Sequence, residues 1–169
     1  IADFDGQNKH IEYLNSLSGV VFDPEVADIV GYNENGQPIY DTITGMVWRN
    51  RFLDEVADLR IEDSTYTLLI IDDGEFISEF DIYNPYYKVS SGSSEEDIAL
   101  NKAKCEYKIT KDYVFTQTYK ATDIPALLIS VDMVEVPIDK ASIYESFKAS
   151  NGWVHHITSC SVPLANRIK

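Results

Sequence analysis

Positive charge is scarce in this chain. Its 169 residues carry 14 Lys and Arg against 28 Asp and Glu, a formal net charge of −14. The deficit is uneven: residues 1–100 hold 21 acidic and 5 basic residues, a net of −16, whereas residues 101–169 hold 7 acidic and 9 basic, a net of +2. A polyanionic surface repels phosphate backbones and anionic lipid, which argues against nucleic-acid binding and favours a basic protein partner or a cation. Long apolar runs are missing as well. None approaches the ~20 residues of a membrane span, so insertion into a bilayer is not expected. With 44% hydrophobic residues, a chain of this length buries roughly two-thirds of its extended surface as one domain, residues 1–169, and needs no metal or disulfide to fold.

Cysteine is limited to Cys105 and Cys160, 55 residues apart. The pair has no zinc spacing, and it fits one disulfide or two buried thiols equally well. Glycine-rich phosphate loops, H-E-x-x-H, G-x-S-x-G and N-x-[ST] are all absent. No cofactor, no bound metal and no catalytic residue are assigned, and the chain reads as a non-enzyme. A carboxylate-based hydrolase is kept as a third reading, because carboxylate dyads have no local signature. His155-His156 and Cys160 are the only base and nucleophile types close in sequence. On a strand, residues 156 and 160 stand about 13 Å apart, against the about 2.6–3.2 Å of a Cys–His pair. An initiator Met is also missing, since Ile1 comes first. A processed chain is the expectation, and with it an extracellular, surface or virion location.

The first twelve residues, IADFDGQNKHIE, place Asp3, Asp5, Gly6 and Glu12 on positions 3, 5, 6 and 12 of a calcium-binding EF-hand loop. Ile1 lacks the oxygen that the first position supplies, and Asn8 stands where an apolar residue belongs. The carboxylates suit a helix N-terminus better, with a loose divalent-cation site as the alternative.

Local patterns predict an α+β fold, a mainly antiparallel β-sheet of about eight strands and several hairpins with about three short helices. A helix is expected over residues 7–18. DIVGYNENGQPIYDTITG reads as a hairpin with a type I′ turn at Asn35-Gly36. MVWRNRFL reads as a strand with Trp48 and Phe52 on one face. STYTLLIIDDGEFISEFDIY reads as a second hairpin turning at Asp73-Gly74, its Leu/Ile run buried on both sides. After a Ser/Gly-rich acidic loop at residues 90–97, Ser93 and Glu96 form a capping box for a helix over 95–105. KDYVFTQTYK and ALLISVDMVEV alternate as strands, Asp139 caps a helix in KASIYESFKAS, and WVHHITSCSV is a last strand.

Two clusters stand out as binding candidates. Asp72, Asp73 and Glu75 gather negative charge at the Asp-Gly turn, and Tyr83, Tyr86 and Tyr87 surround Asn84-Pro85. Clustered tyrosines beside acids suit recognition of a basic protein surface. The leading functional reading is a non-catalytic interaction domain: a structural or assembly subunit of a surface, appendage or virion assembly, working through self-association or a protein partner. The alternative is an acidic inhibitor or immunity-type protein that blocks a basic active site.

Overall fold

The computed structural model describes residues 8–88 and 94–168. Asp3 and Asp5 of the calcium-loop match, and Ser93 of the capping box, lie outside them. Among the described residues, ten strands and five α-helices make a mixed α+β fold of small, antiparallel-rich sheets.

The central sheet has the order β6 (Val114–Phe115), β5 (Tyr66–Ile71), β10 (Gly152–Ile157), β9 (Ile143–Ala149). β5 is the Leu/Ile run, and it is buried on both faces as its composition predicts. Leu68 and Ile70 pack with Ile11 and Leu14 of α1 (Lys9–Ser16) and Phe52 of α2 (Arg51–Glu55). Leu69 and Ile71 pack on the opposite side with Phe76 of α3 (Asp73–Tyr83) and Ile109 of α4 (Glu95–Thr110). β10 runs parallel to β5 and antiparallel to β9. The parallel contact is tight at Gly152, where a Cβ would lie 1.9 Å from the Tyr66 carbonyl oxygen.

Several local expectations are overturned. Asp72-Asp73-Gly74 is a strand-to-helix junction, not a hairpin: Asp72 caps α3 by accepting the Glu75 N–H at 2.9 Å. Asp-x-x-Glu before a helix is itself a cap pattern, and here it prevails over Asp-Gly as a turn. MVWRNRFL divides into β4 (Met46–Asn50) and α2, because the Asn50 side chain accepts the N–H groups of Phe52 and Leu53. Trp48 and Phe52 therefore share no face; the first is 70% exposed and the second fully buried. Asp139 caps only a 3-10 turn, Lys140–Ser142, after which KASIYESFKAS becomes β9. The helix after the serine-rich loop runs to Thr110, capped by Ser94, which accepts the Asp97 N–H. KDYVFTQTYK contributes only β6 after a 3-10 turn. ALLISVDMVEV is not one strand but a hairpin, β7 (Leu127–Ile129) and β8 (Glu135–Pro137).

Residues 18–50 form a separate ribbon. β1 (Ser18–Phe22) pairs with β4, and nested inside that pair β2 (Ile29–Tyr32) pairs with β3 (Pro38–Tyr40). The hairpin at Asn35-Gly36 is present, but Gly36 alone has positive φ, +74°. A type I′ turn needs it at both central residues. Asn33 instead organises the tip, its side chain accepting the N–H groups of Asn35 and Gln37 at 2.9 Å each.

Candidate functional site

Each acid of the predicted cluster holds a backbone N–H. Asp72 caps α3, Asp73 accepts the Lys9 N–H at 2.7 Å, and Glu75 accepts the Cys160 N–H at 3.0 Å. These bonds tie α1, α3 and the segment after β10 together, a structural task. The tyrosines do not share one surface. Tyr83 is buried with its hydroxyl on the Val162 carbonyl, Tyr87 packs against the core 6.5 Å from the Tyr83 ring, and Tyr86 is exposed. Among the described residues no group of three His, Cys, Asp or Glu is placed to hold a metal ion.

The histidines and cysteines are likewise built in. His155 bonds the Ser146 hydroxyl and the Tyr119 carbonyl, both at 2.8 Å, and stacks on Trp153. His156 lies 3.4 Å from the Tyr144 hydroxyl. Burial lowers the pKa of both rings. Cys105 and Cys160 are free, buried thiols, each pushed up to about 12 by burial. A protonated thiol is not the nucleophile that a Cys–His site needs. His10, unremarkable in the sequence, is fully buried, and its Nε2 has no hydrogen-bond partner among the described residues.

Two buried charge clusters have no sequence signal. Arg167, at the end of α5 (Leu164–Arg167), is ion-paired with Glu79 and, at 2.7 Å, with Asp112; its guanidinium lies 4.4 Å from the centre of the Tyr83 ring. Burial raises both carboxyls, and Arg167 opposes that rise. The cluster is under 4% exposed and fastens the C-terminal segment to α3 and to the 3-10 turn, Lys111–Tyr113, that follows α4. Lys111 lines a cavity of about 240 Å³ with Glu55, Tyr107, Lys108 and Asp132. Burial pulls its pKa down to about 8. A depressed lysine in a cavity is a candidate for chemistry. This ammonium, however, is ion-paired with Asp132 and lies 3.8 Å from Asp112, which makes it a counter-ion rather than a free amine.

The ribbon is the feature left without an internal explanation. It carries eleven of the 23 large hydrophobic side chains exposed among the described residues. β1 and β4 set Val20 opposite Trp48 and Phe22 opposite Met46 on one face, and Val21 opposite Val47 on the other. Val20 is 55% exposed, Val30 63%, Tyr32 66% and Ile43 83%. None of these residues belongs to either hydrophobic core cluster. An isolated two-stranded ribbon is marginal in water, and so many exposed apolar side chains on one element exceed the single, scattered ones usual on a protein surface. Its root is firmly held: Asn50 caps α2 and donates to the Leu14 carbonyl and the Ser18 hydroxyl, each at 2.8 Å, while Arg49 pairs with Asp23. The alternation in MVWRNRFL put Trp48 on one face with Phe52, but the Asn50 cap ends the strand between them, so Phe52 enters the core and Trp48 stays on the ribbon.

Compared with family models, curated proteins and solved structures, the chain matches none.

Proposed function

We propose that this chain is a non-catalytic protein-interaction domain, a subunit of a protein assembly, and that the ribbon of residues 18–50 is the element through which it engages. The observation that carries the reading is the concentration of eleven exposed large apolar side chains on a ribbon that the chain's own core does not cover. Fully burying such a side chain contributes about 1.5–3 kcal/mol, and these are already half covered, so roughly 1 kcal/mol each remains to be gained. The sum, on the order of 10 kcal/mol, is comparable with the ~4–15 kcal/mol cost of association. The ribbon alone therefore supports reversible binding, with polar contacts at its edge adding the rest.

The −16 balance of residues 1–100 favours a second reading, in which the ribbon seats on a basic target as an inhibitor would. Sedimentation velocity over ~1–100 µM, the range of micromolar association, separates the two. An assembly subunit sediments above the 19.1 kDa of one chain, and Val20→Ser/Trp48→Ser returns it to a monomer with an unchanged melting temperature. A wild type that stays monomeric throughout overturns the assembly reading and favours the inhibitor.

A further inference from the structure

We infer that the outer end of the ribbon, β2 with β3, takes an extended basic segment of a protein partner: apolar side chains along its middle, and Lys or Arg at both ends. The inference rests on the ribbon reading above and adds to it the partner's chemistry and its seat. Such a segment suits a neighbouring subunit and a blocked target alike.

Acids and apolar side chains are segregated on this part of the ribbon. Ile29, Val30, Tyr32 and Ile39 form an apolar strip, each about half exposed or more. Carboxylates bracket it. The Asp41 N–H donates to the Asp28 carbonyl at 2.8 Å, which sets these two acids side by side where β2 begins and β3 stops; Glu34 stands in the turn at the other end. At strand spacing the two ends lie roughly 15–20 Å apart. Residues 18–50 hold five acidic residues and one basic, Arg49, and Arg49 is paired with Asp23. The other four acids, Glu25, Asp28, Glu34 and Asp41, have no ion pair among the described residues.

Those charges choose the partner. Four carboxylates without a cation repel phosphate backbones, anionic lipid and a second acidic ribbon, and they attract ammonium and guanidinium groups. A metal ion or a polyamine would meet the charge and leave the apolar strip in water, so the partner carries both features. Its seat is a strand edge. Among the described residues β2 pairs only with β3, so its other edge is open. β2 contains no proline, whereas β3 opens on Pro38, which has no N–H to donate. The register shifts between Ile29 and Gly31 and gives Val30 no partner across the ribbon. An extended segment laid along β2 gains main-chain bonds and covers Val30 and Tyr32, and cations about six residues apart on it reach Asp28 and Glu34. Rim charges of this kind govern the rate of encounter and the choice of partner, while the apolar contacts set the lifetime.

Two labelled peptides of about seven residues, roughly 20 Å long when extended, test this by fluorescence anisotropy. Val and Thr alternate in both; one carries Lys at each end and the other Glu. The Lys-ended peptide should bind wild type on the order of 10-fold more tightly at about 0.01 M salt, and the difference should vanish near 1 M, where the Debye length is about 3 Å. Glu25→Gln/Asp28→Asn/Glu34→Gln, at exposed positions, should keep the wild-type melting temperature and bind both peptides alike. Val30→Ser/Tyr32→Ser should bind neither. If wild type binds the two peptides alike, or does not bind the Lys-ended one up to ~1 mM, the inference is wrong. Lys-ended binding that survives Val30→Ser/Tyr32→Ser is charge attraction alone and overturns it too. Self-association of the wild type that tightens in the acid-to-amide variant puts a second acidic ribbon in the seat; that outcome overturns the inference and leaves the ribbon reading standing. Ribbon variants that leave every association unchanged overturn the ribbon reading itself.

Discussion

Replacing His10 should flatten the pH dependence of stability. Its Nδ1 accepts the Ile71 N–H at 3.3 Å, its ring lies 5.8 Å from the rings of Phe76 and Tyr113, and it has no exposed surface. Burial, with a smaller contribution from His156, lowers its pKa from 6.5 to about 3. The unfolded chain therefore binds a proton below pH 6.5 that the folded chain refuses, and stability falls as pH drops towards 3. At pH 5 the separation from 6.5 is about 1.5 units, or about 2 kcal/mol at 1.36 kcal/mol per unit. At 2–4 °C per kcal/mol for a chain of this size, that lowers the melting temperature by roughly 4–8 °C. Glu79 and Asp112, raised by burial, act in the opposite sense, so the comparison must be between wild type and variant. His10→Asn keeps an acceptor for the Ile71 N–H and removes the titration. Urea unfolding followed by tryptophan fluorescence at pH 7 and pH 5 should show wild type losing about 2 kcal/mol more than the variant over that interval. Equal losses in both proteins would refute the assignment of a buried, neutral His10.

Two further outcomes test the rest of the core. Arg167→Ala strands Glu79 and Asp112 without a cation and should cost about 3–5 kcal/mol in urea unfolding at pH 7. Because its carboxyls then take up protons on folding, that cost should shrink as pH falls through the carboxylate range; a loss under about 1 kcal/mol, or one independent of pH, counts against the clasp. The glycines should separate three ways. Gly152→Ala, driven against the Tyr66 carbonyl, should lose about 2 kcal/mol or more, and Gly36→Val about 1 kcal/mol from its positive φ. Gly74→Ala, whose Cβ meets only Asp72 Oδ1 at 3.5 Å in the first turn of α3, should be neutral or stabilising. Parallel thermal melts of the three variants check the order.

What the sequence made legible were features with a local cause. Asn35-Gly36 marks a hairpin because a backbone with positive φ favours glycine, and LLII marks a two-sided strand because each side chain is apolar. The misread stretches are those where one local pattern serves two structures. Asp72-Asp73-Gly74 suits a turn and a helix cap, and the contacts of Phe76 and Tyr83 with the core decide for the helix. Asp139 caps a turn that does not propagate, because Ile143–Ala149 gains a ladder with β10 instead. The remaining features depend on long-range contacts that no window sees. β5 and β10 are parallel neighbours across residues 72–151, and Arg167 meets Glu79 and Asp112 from 88 and 55 residues away. The tyrosine and acid clusters were conspicuous in sequence, yet the fold uses most of them as internal bonds. The ribbon was visible only as strands, because its distinguishing property is how little of the core packs against it among the described residues.

That combination of a fixed root and an uncovered body bears on how the ribbon would work. The Asn50 side chain makes four bonds at the junction of α1, β1 and α2, and the Arg51 N–H donates to the Leu17 carbonyl at 3.0 Å. Arg49 reaches across to Asp23 and lies 3.8 Å from Asp54. The direction in which the ribbon leaves the core is therefore set by folding, before any partner arrives. Immobilising a side chain or loop on binding costs about 0.5–1.5 kcal/mol per flexible group, and a segment already ordered avoids much of that. With only about 10 kcal/mol of apolar burial on offer, avoiding several such terms would decide whether the proposed association occurs at micromolar concentration. A disordered strap of the same composition would lose that margin, so in the proposed interaction the polar root counts as much as Trp48 or Tyr32.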